Sequence, residues 1–148
     1  MCRSVFWRRG SRNVAVRPKL QALVVADHVY RDHFTGKHVI AGTFNQINVT
    51  QLPGFYGKDA FVYMSLADVR TEIELELRIV KLKGLEVLGR SHPFKTESAM
   101  DPLMTLEVVV QLPPIPVPEL GSYALEVHWE SEMLGSHRFT VKMMEEVK

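Results

Sequence analysis

Three histidines and two aspartates fall within twelve residues of this chain, in the segment DHVYRDHFTGKH (27–38). Imidazole and carboxylate groups bind zinc and exchange protons near neutral pH, so this segment is the first place to expect chemistry. A zinc ion needs three or four such ligands at about 2 Å. The spacing of His28, His33 and His38 does not match the i, i+4 spacing of ligand pairs on a helix. Any shared site therefore depends on whether a hairpin brings these side chains together.

Gly36 predicts a tight turn in this segment, because glycine readily adopts the left-handed conformation that closes short hairpin loops. A three-residue loop over 34–36 would place Asp32 opposite His38. A two-residue loop ending at the same glycine would instead place His33 opposite His38. The sequence alone leaves both registers open.

Neither register brings the three imidazoles together, because His28 lies several residues further along the first strand. We therefore interpret the segment as a polar hairpin end, in which an Asp32–His38 pair would stabilise the turn. The residues of this structural turn are Asp32, Thr35, Gly36 and Lys37. The alternative interpretation, a metal or acid–base site, would use His28, His33, His38 and Asp32.

The proline-rich segment LPPIPVPELG (112–121) is a second candidate surface. Its Pro113-x-x-Pro116 pattern is a minimal polyproline-II ligand motif, but the segment lacks the basic flanking residue that such ligands usually carry. Prolines are excluded from central strands, so the segment is also typical of a rigid crossover between two sheets. A possible interaction surface here comprises Pro113, Pro114, Pro116 and Pro118.

Signatures of catalysis and of cofactor binding are missing from the sequence, which contains no GxSxG, GxGxxG or GxxxxGK[ST] pattern. The aspartates near the expected strand ends do not form the DxDxDG loop that binds calcium. The single cysteine, Cys2, excludes an intramolecular disulfide and a zinc site built from cysteines. We therefore predict a protein that is not an enzyme and that needs no cofactor.

The formal net charge is only +1, but the charges are segregated along the chain. Six basic residues precede the first acidic residue, Asp27, and the remaining 12 basic and 17 acidic residues give a net charge of −5. We predict that residues 1–19 are a disordered basic extension of a single domain spanning 20–144. The alternatives for this tail are an amphipathic presequence or a nucleic-acid contact through Arg3, Arg8, Arg9 and Arg12.

The apolar runs of the chain are too short for a membrane-spanning helix, which needs roughly 20 residues. They are also shorter than the apolar region of a secretory signal, which has about 7–15 residues. We therefore expect a cytoplasmic protein without a membrane partner.

Short apolar stretches between turn residues must position these side chains. Strands are expected over 20–30, 38–52, 59–66, 71–82, 85–94, 103–112, 122–130 and 137–144. Alternation of apolar and polar residues gives each strand one buried and one solvent-facing side, as in antiparallel sheets. The pattern predicts an all-β fold, an antiparallel β-sandwich of about eight strands, immunoglobulin-like or C2-like, with few or no helices. A closed up-and-down barrel is the alternative architecture.

The segment TEIELELRIVKL (71–82) is ambiguous, since its Glu, Leu and Lys residues also favour a helix. Thr71 and Glu74 could form a capping box at the start of such a helix. Apolar and charged residues nevertheless alternate strictly from 72 to 79, which would spread the apolar side chains around a helix. On a strand they share one face, so we predict a strand.

Two motifs frame the chain: ADxVxxDxxTGK followed by IxGxF in 26–44, and a proline-rich segment before GxY in 112–123. They resemble those of a family of small all-β bacterial proteins of unknown function. The resemblance covers most of residues 22–143 and implies a sandwich with a turn near Asp32, but no activity. The matching residues are Ala26, Asp27, Val29, Asp32, Thr35, Gly36, Lys37, Ile40, Gly42, Phe44, Pro116, Pro118, Gly121 and Tyr123.

These observations favour an uncharacterised, non-enzymatic β-sandwich that binds another protein or its own copies through an edge strand or an exposed sheet face. One alternative is a sandwich that binds a small ligand or a metal. The other is nucleic-acid binding through the basic tail.

Overall fold

A computed structural model describes residues 16–97, 101 and 103–145, which form an all-β fold of two large sheets. Residues 1–15 of the predicted disordered tail, with its arginines at positions 3, 8, 9 and 12, lie outside the described residues. The end of the predicted tail is ordered, because Pro18 is buried and Lys19 begins the first strand. The described residues include one single-turn 3-10 helix, Lys83–Leu85, and no helix that is long and apolar enough to cross a membrane. The strands are β1 (Lys19–Arg31), β2 (His38–Thr43), β3 (Gln46–Val49), β4 (Gly54–Tyr56), β5 (Phe61–Ala67), β6 (Glu74–Lys81), β7 (Glu86–Arg90), β8 (Phe94–Lys95), β9 (Leu106–Gln111), β10 (Ile115–Val117), β11 (Gly121–Trp129) and β12 (Glu132–Met143).

The two large sheets are open, and each has its own edge strands. The first sheet has the order β2-β1-β5-β9, and the second has the order β3-β12-β11-β6-β7, with β8 also paired to β6. A separate two-stranded ribbon joins β4 and β10. Since neither large sheet closes on itself within residues 16–97, 101 and 103–145, these residues form a sandwich and not a closed barrel.

Apolar side chains that alternate along the strands fill the space between the sheets. Each fully buried aliphatic side chain stabilises the folded state by about 1.5–3 kcal/mol. The largest fully buried side chains are Tyr123, Ile47, Met64, Leu66, Leu75 and Leu125. Because these residues belong to β3, β5, β6 and β11, both sheets contribute to a common core.

The ambiguous segment 71–82 contains the strand β6, as the alternation of its residues predicts. Leu75, Leu77 and Ile79 are buried in the core. On the opposite face the Arg78 guanidinium donates a hydrogen bond to the Glu76 carboxylate at 2.5 Å. Residues two apart share a face only on a strand, so this ion pair and the buried stripe exclude the helical alternative.

The predicted single strand over 38–52 is wrong, because the chain changes sheets within it. β2 ends at Thr43 and belongs to the first sheet, whereas β3 begins at Gln46 and pairs in parallel with β12 of the second. The two residues between them bond to different sheets: the Phe44 N–H donates to the Val25 carbonyl, and the Asn45 carbonyl accepts from the Thr140 N–H. The β3–β12 pair is therefore a parallel exception to the expected antiparallel pairing.

Two segments expected as loops contain short strands. The Pro53–Gly57 region holds β4, and the proline-rich segment holds β10, in which Pro116 lies opposite Phe55. Both strands have three residues, too few to show an alternation in the sequence. Together with the divided strands over 38–52 and 85–94, they raise the expected number of about eight strands to twelve among the described residues.

Candidate functional site

The first hairpin consists of the second half of β1, β2 and the turn between them, and we call residues 27–43 the hairpin arm. His38 lies opposite Arg31, so both expected registers, with Asp32 or His33 opposite His38, are wrong. The Asp32 N–H donates to the Lys37 carbonyl at 2.7 Å, and the Gly36 N–H donates to the Asp32 carbonyl at 2.9 Å. Gly36 has the expected positive φ of 70°, but the loop is longer than either expected loop.

Asp32 stabilises the turn through the backbone and not through His38. Its Oδ1 accepts hydrogen bonds from the N–H groups of Phe34 at 2.8 Å and Thr35 at 2.9 Å. These bonds to the charged carboxylate hold the pKa of Asp32 below its usual range. The Thr35 hydroxyl in turn accepts from the Lys37 N–H at 3.3 Å. The predicted Asp32–His38 pair is therefore wrong, because these N–H groups inside the turn occupy the carboxylate.

The three histidines of the arm have separate neighbours. The His28 ring stacks on Tyr30, with ring centroids 5.7 Å apart, and His33 lies edge-on to Phe34. His38 instead points to Glu107 of β9. Within the described residues, no three His, Cys, Asp or Glu side chains are placed to hold a metal ion.

Glu107 links the arm to the rest of the first sheet, and we call His38, Tyr63 and Glu107 the Glu107 clamp. The Tyr63 hydroxyl donates to Glu107 Oε1 at 2.5 Å, and His38 Nδ1 lies 2.8 Å from Oε2. Burial, followed by the bond to Glu107, raises the pKa of Tyr63 to about 12. The hydrogen bond from the Tyr63 hydroxyl is the main cause of the lowered pKa of Glu107, and the hydrogen bond to His38 lowers it further.

The clamp joins three strands of the first sheet. Burial and Glu107 raise the pKa of Tyr63, so its hydroxyl stays protonated at physiological pH and donates to the carboxylate. Both oxygens of the Glu107 carboxylate already have hydrogen-bond partners. The arrangement therefore fixes the hairpin arm against β5 and β9.

The clamp also requires a bend in β1. β5 pairs with residues 19–26 of β1, and β2 pairs with residues 26–31. Ala22 lies in one cross-strand row with Ser65 and Glu107, and Arg31 lies opposite His38. In a straight strand, the nine residue steps from Ala22 to Arg31 would span about 30 Å. The hydrogen bond from His38 to Glu107 is possible only because the arm curves back over β5 and β9.

Gly42 provides a kink in β2 at the base of the arm. Its φ is 73°, and a Cβ at this position would lie 2.5 Å from Oδ2 of Asp27. The Asp27 side chain thus lies directly on the glycine backbone. Glycine kinks are one way in which sheets acquire curvature, so Asp27 and Gly42 together fit the bend of the arm.

Exposed apolar side chains lie along the arm. Tyr30 and Val39 are opposite each other in the hairpin and are 53% and 47% exposed. Phe34 at the tip is 95% exposed. Three of the exposed large apolar side chains among the described residues therefore lie on the arm.

The proline-rich segment is less available than its sequence suggests. Ile115 and Val117 are buried in the core, and Pro116 is half-buried in the ribbon with β4. Pro113, Pro114 and Pro118 are exposed. A polyproline-II ligand would need Pro113 and Pro116 free together, so the structure favours the crossover interpretation.

Tyr63 and Glu107 are the site residues that the sequence does not reveal. Alternation along 103–112 places Glu107 on the solvent-facing side of its strand, but its partner His38 is 69 residues away. Only the sheet order and the bend of β1 bring the two together.

Comparisons with known proteins identify a family and a fold. The model of DUF6941, a family of unknown function, matches residues 21–142. No curated protein matches the sequence significantly. A similar solved structure is that of Pseudomonas fluorescens alkylpurine DNA glycosylase AlkC bound to DNA containing an abasic site analog, with a TM-score of 0.50 and 15% identity. The match covers 84% of this chain but only 30% of the glycosylase chain, so it concerns the fold alone.

Proposed function

Since the chain belongs to the DUF6941 family of unknown function, we propose from its structure that it is a non-enzymatic β-sandwich that binds protein through the hairpin arm. The observation that carries this proposal is the exposed apolar surface of the arm, formed by Tyr30, Phe34 and Val39. The Glu107 clamp supports it, because a positioned arm loses less conformational entropy on binding than a free one.

β2, the edge strand of the hairpin arm, differs from the other edge strands of the sandwich. β7 carries Glu86 and Arg90, and β9 carries Glu107. β3 has four residues and exposes only polar side chains, Gln46 and Asn48. β2, with the sequence HVIAGT, contains neither a formally charged residue nor a proline. Charges and prolines are the usual protection of sheet edges against pairing, so β2 is the edge best suited to a contact.

Affinity capture with matched variants tests this proposal. Phe34→Ser with Val39→Thr removes apolar surface from exposed positions and keeps a β-branched residue in the strand. Loss of two apolar contacts is expected to weaken partner binding by roughly tenfold or more. The measurement is the amount of each protein captured by wild type and by the variant at equal bait concentration.

Leu103→Ser is the control, because Leu103 is 90% exposed but lies outside the arm. It is expected to capture the same proteins as wild type. Equal capture by the wild type and the arm variant would exclude the arm as the contact surface. Wild type without any bound protein and without self-association would contradict an interaction module altogether.

A further inference from the structure

The outer edge of β2 lacks a strand partner in the part of the chain that the structure describes, where β2 pairs with β1 alone. Such an edge presents N–H and C=O groups that another strand can pair with. We propose that β2 pairs antiparallel with β2 of a second copy of this chain, around a two-fold axis at Ile40. This inference rests on the proposed function, since it names the partner of the same arm.

Two-fold symmetry decides the register of this pairing. A two-fold axis perpendicular to the sheet keeps each side chain on the same face in both copies. Directly opposed residues of an antiparallel pair also share a face, so the axis must pass beside one residue, which then lies opposite its own copy. Ile40 lies near the middle of β2, and centring the pair on it brings Val39 of each chain opposite Ala41 of the other. The exposed Val39 side chain then gains an apolar cross-strand neighbour, which stabilises such a pair.

The charges of the arm are complementary to those of a second copy. Arg31 and Lys37 lie near the tip, Asp27 lies at the base opposite Gly42, and the carboxylate of Asp32 is bound within the turn. Antiparallel pairing places the tip of each arm beside the base of the other. With His38 opposite Gly42 of the second copy, Arg31 of one chain and Asp27 of the other lie on the same sheet face, at the two ends of one cross-strand row, and this arrangement occurs twice in the dimer.

The absence of charge within β2 itself also favours a second copy as the partner. A strand that carries a charge at its centre would oppose like charges when it pairs with itself, which is destabilising. The sequence HVIAGT has no such charge, and the formal charges of the arm, two basic and two acidic, cancel. Self-association therefore adds no net repulsion between the two arms.

Light scattering after gel filtration tests the pairing. Wild type is expected to have twice the 16.9 kDa mass of the chain at micromolar concentration. Val39→Lys with Ala41→Lys places lysines opposite each other in two cross-strand pairs and is expected to weaken the dimer by roughly tenfold or more. Val87→Lys on the edge strand β7 is the control, since Val87 is also partly exposed, and it should leave the mass unchanged.

Cysteine cross-linking tests the register directly. In a Cys2→Ser background, Ile40→Cys is expected to give a disulfide-linked dimer on mild oxidation, because directly opposed residues have Cα atoms about 4.5–5.5 Å apart. Val87→Cys should give none. A monomeric wild type, a dimer that survives both lysines, or a dimer without the Ile40→Cys cross-link would each overturn the inference. In each of these cases the proposed function would still be supported if wild type captured proteins that the variant with Phe34→Ser and Val39→Thr did not capture.

Discussion

Glu107 shows how one carboxylate can fix the position of a whole hairpin. It accepts from the Tyr63 hydroxyl through one oxygen and lies within hydrogen-bond distance of His38 through the other. The pKa of Glu107 is lowered, first by Tyr63 and then by His38, so the folded state favours the charged form. A carboxylate whose pKa is lowered on folding stabilises the protein above its usual pKa of 4.5, and this contribution is lost as pH falls through the lowered value.

Glu107→Gln is therefore expected to lower the free energy of unfolding by about 1 kcal/mol at pH 7, because the half-exposed position lets water screen the interaction. The difference between wild type and variant should shrink as the pH falls below 4.5 and should be lost once the pH is below the lowered pKa of Glu107 in the folded state. Urea denaturation at a series of pH values measures this difference in the free energy of unfolding. Glu74→Gln, at an exposed glutamate outside the clamp, is the control. A difference that stays constant with pH would contradict the role of the ionised carboxylate.

Histidine-rich spacing alone predicts a different site from the one that the fold builds. The segment 27–38 draws attention to His28, His33 and His38, yet only His38 reaches a carboxylate, and that carboxylate belongs to another strand. The turn at Asp32 was predictable, because aspartate commonly accepts from backbone N–H groups two and three residues ahead. Contacts across 69 residues could not be read from local spacing.

At the scale of the element, Gly42 determines the path of β2. Gly42→Ala is expected to lower the free energy of unfolding by roughly 1–3 kcal/mol, because a side chain at φ 73° is strained and its Cβ would meet Asp27 at 2.5 Å. Removing the carboxylate in the double variant Asp27→Ala with Gly42→Ala should recover part of this loss. A double-mutant cycle from urea denaturation measures the coupling.

The control for this prediction is Gly57→Ala, because a Cβ at Gly57 meets nothing within 4 Å. It is expected to change the free energy of unfolding by less than about 0.5 kcal/mol. Strictly additive effects of Asp27→Ala and Gly42→Ala would show that the close approach of Asp27 to the glycine does not shape the arm.

Strand type was predictable from the sequence, whereas strand division was not. Alternation identified β6 and β11 because eight or more residues repeat the same pattern. The break at Phe44 and Asn45 has only weak signals, the asparagine itself and Gly42 two positions earlier, and these do not show that the chain changes sheets. The chain changes sheets there because Val25 and Thr140, which are distant in sequence, offer hydrogen bonds on opposite sheets.

At the scale of the whole molecule, the order of strands in a sandwich depends on pairings between distant segments. The sequence predicts two apolar faces that must pack together, and this fixes the class of fold. It does not predict that β3 pairs in parallel with β12, or that β4 and β10 form a separate ribbon. β3 pairs with residues 140–143 of β12 on the side away from β11, so this pairing depends on where β12 lies in the second sheet.

Tyr123 joins the core of the sandwich to the end of the proline-rich segment. Its ring is fully buried and stacks on Phe139 with centroids 5.6 Å apart, and its hydroxyl donates to the Glu119 carbonyl at 2.5 Å. The Glu119 N–H also approaches the same oxygen at 3.3 Å. A tyrosine that bonds to the backbone a few residues upstream is also found in immunoglobulin-like sandwiches, where it stabilises the chain at a corner.

Tyr123→Phe keeps the packing of the ring and removes only this hydroxyl, so it leaves the Glu119 carbonyl without its donor. The expected loss is about 1–2 kcal/mol in the free energy of unfolding, measured by urea denaturation. Tyr30→Phe is the control, since its exposed hydroxyl should contribute less than about 0.5 kcal/mol. If both variants have the same stability, the Tyr123 hydroxyl does not hold the proline-rich segment, and the burial of Ile115 and Val117 together with pairing to β4 fixes the crossover between the sheets.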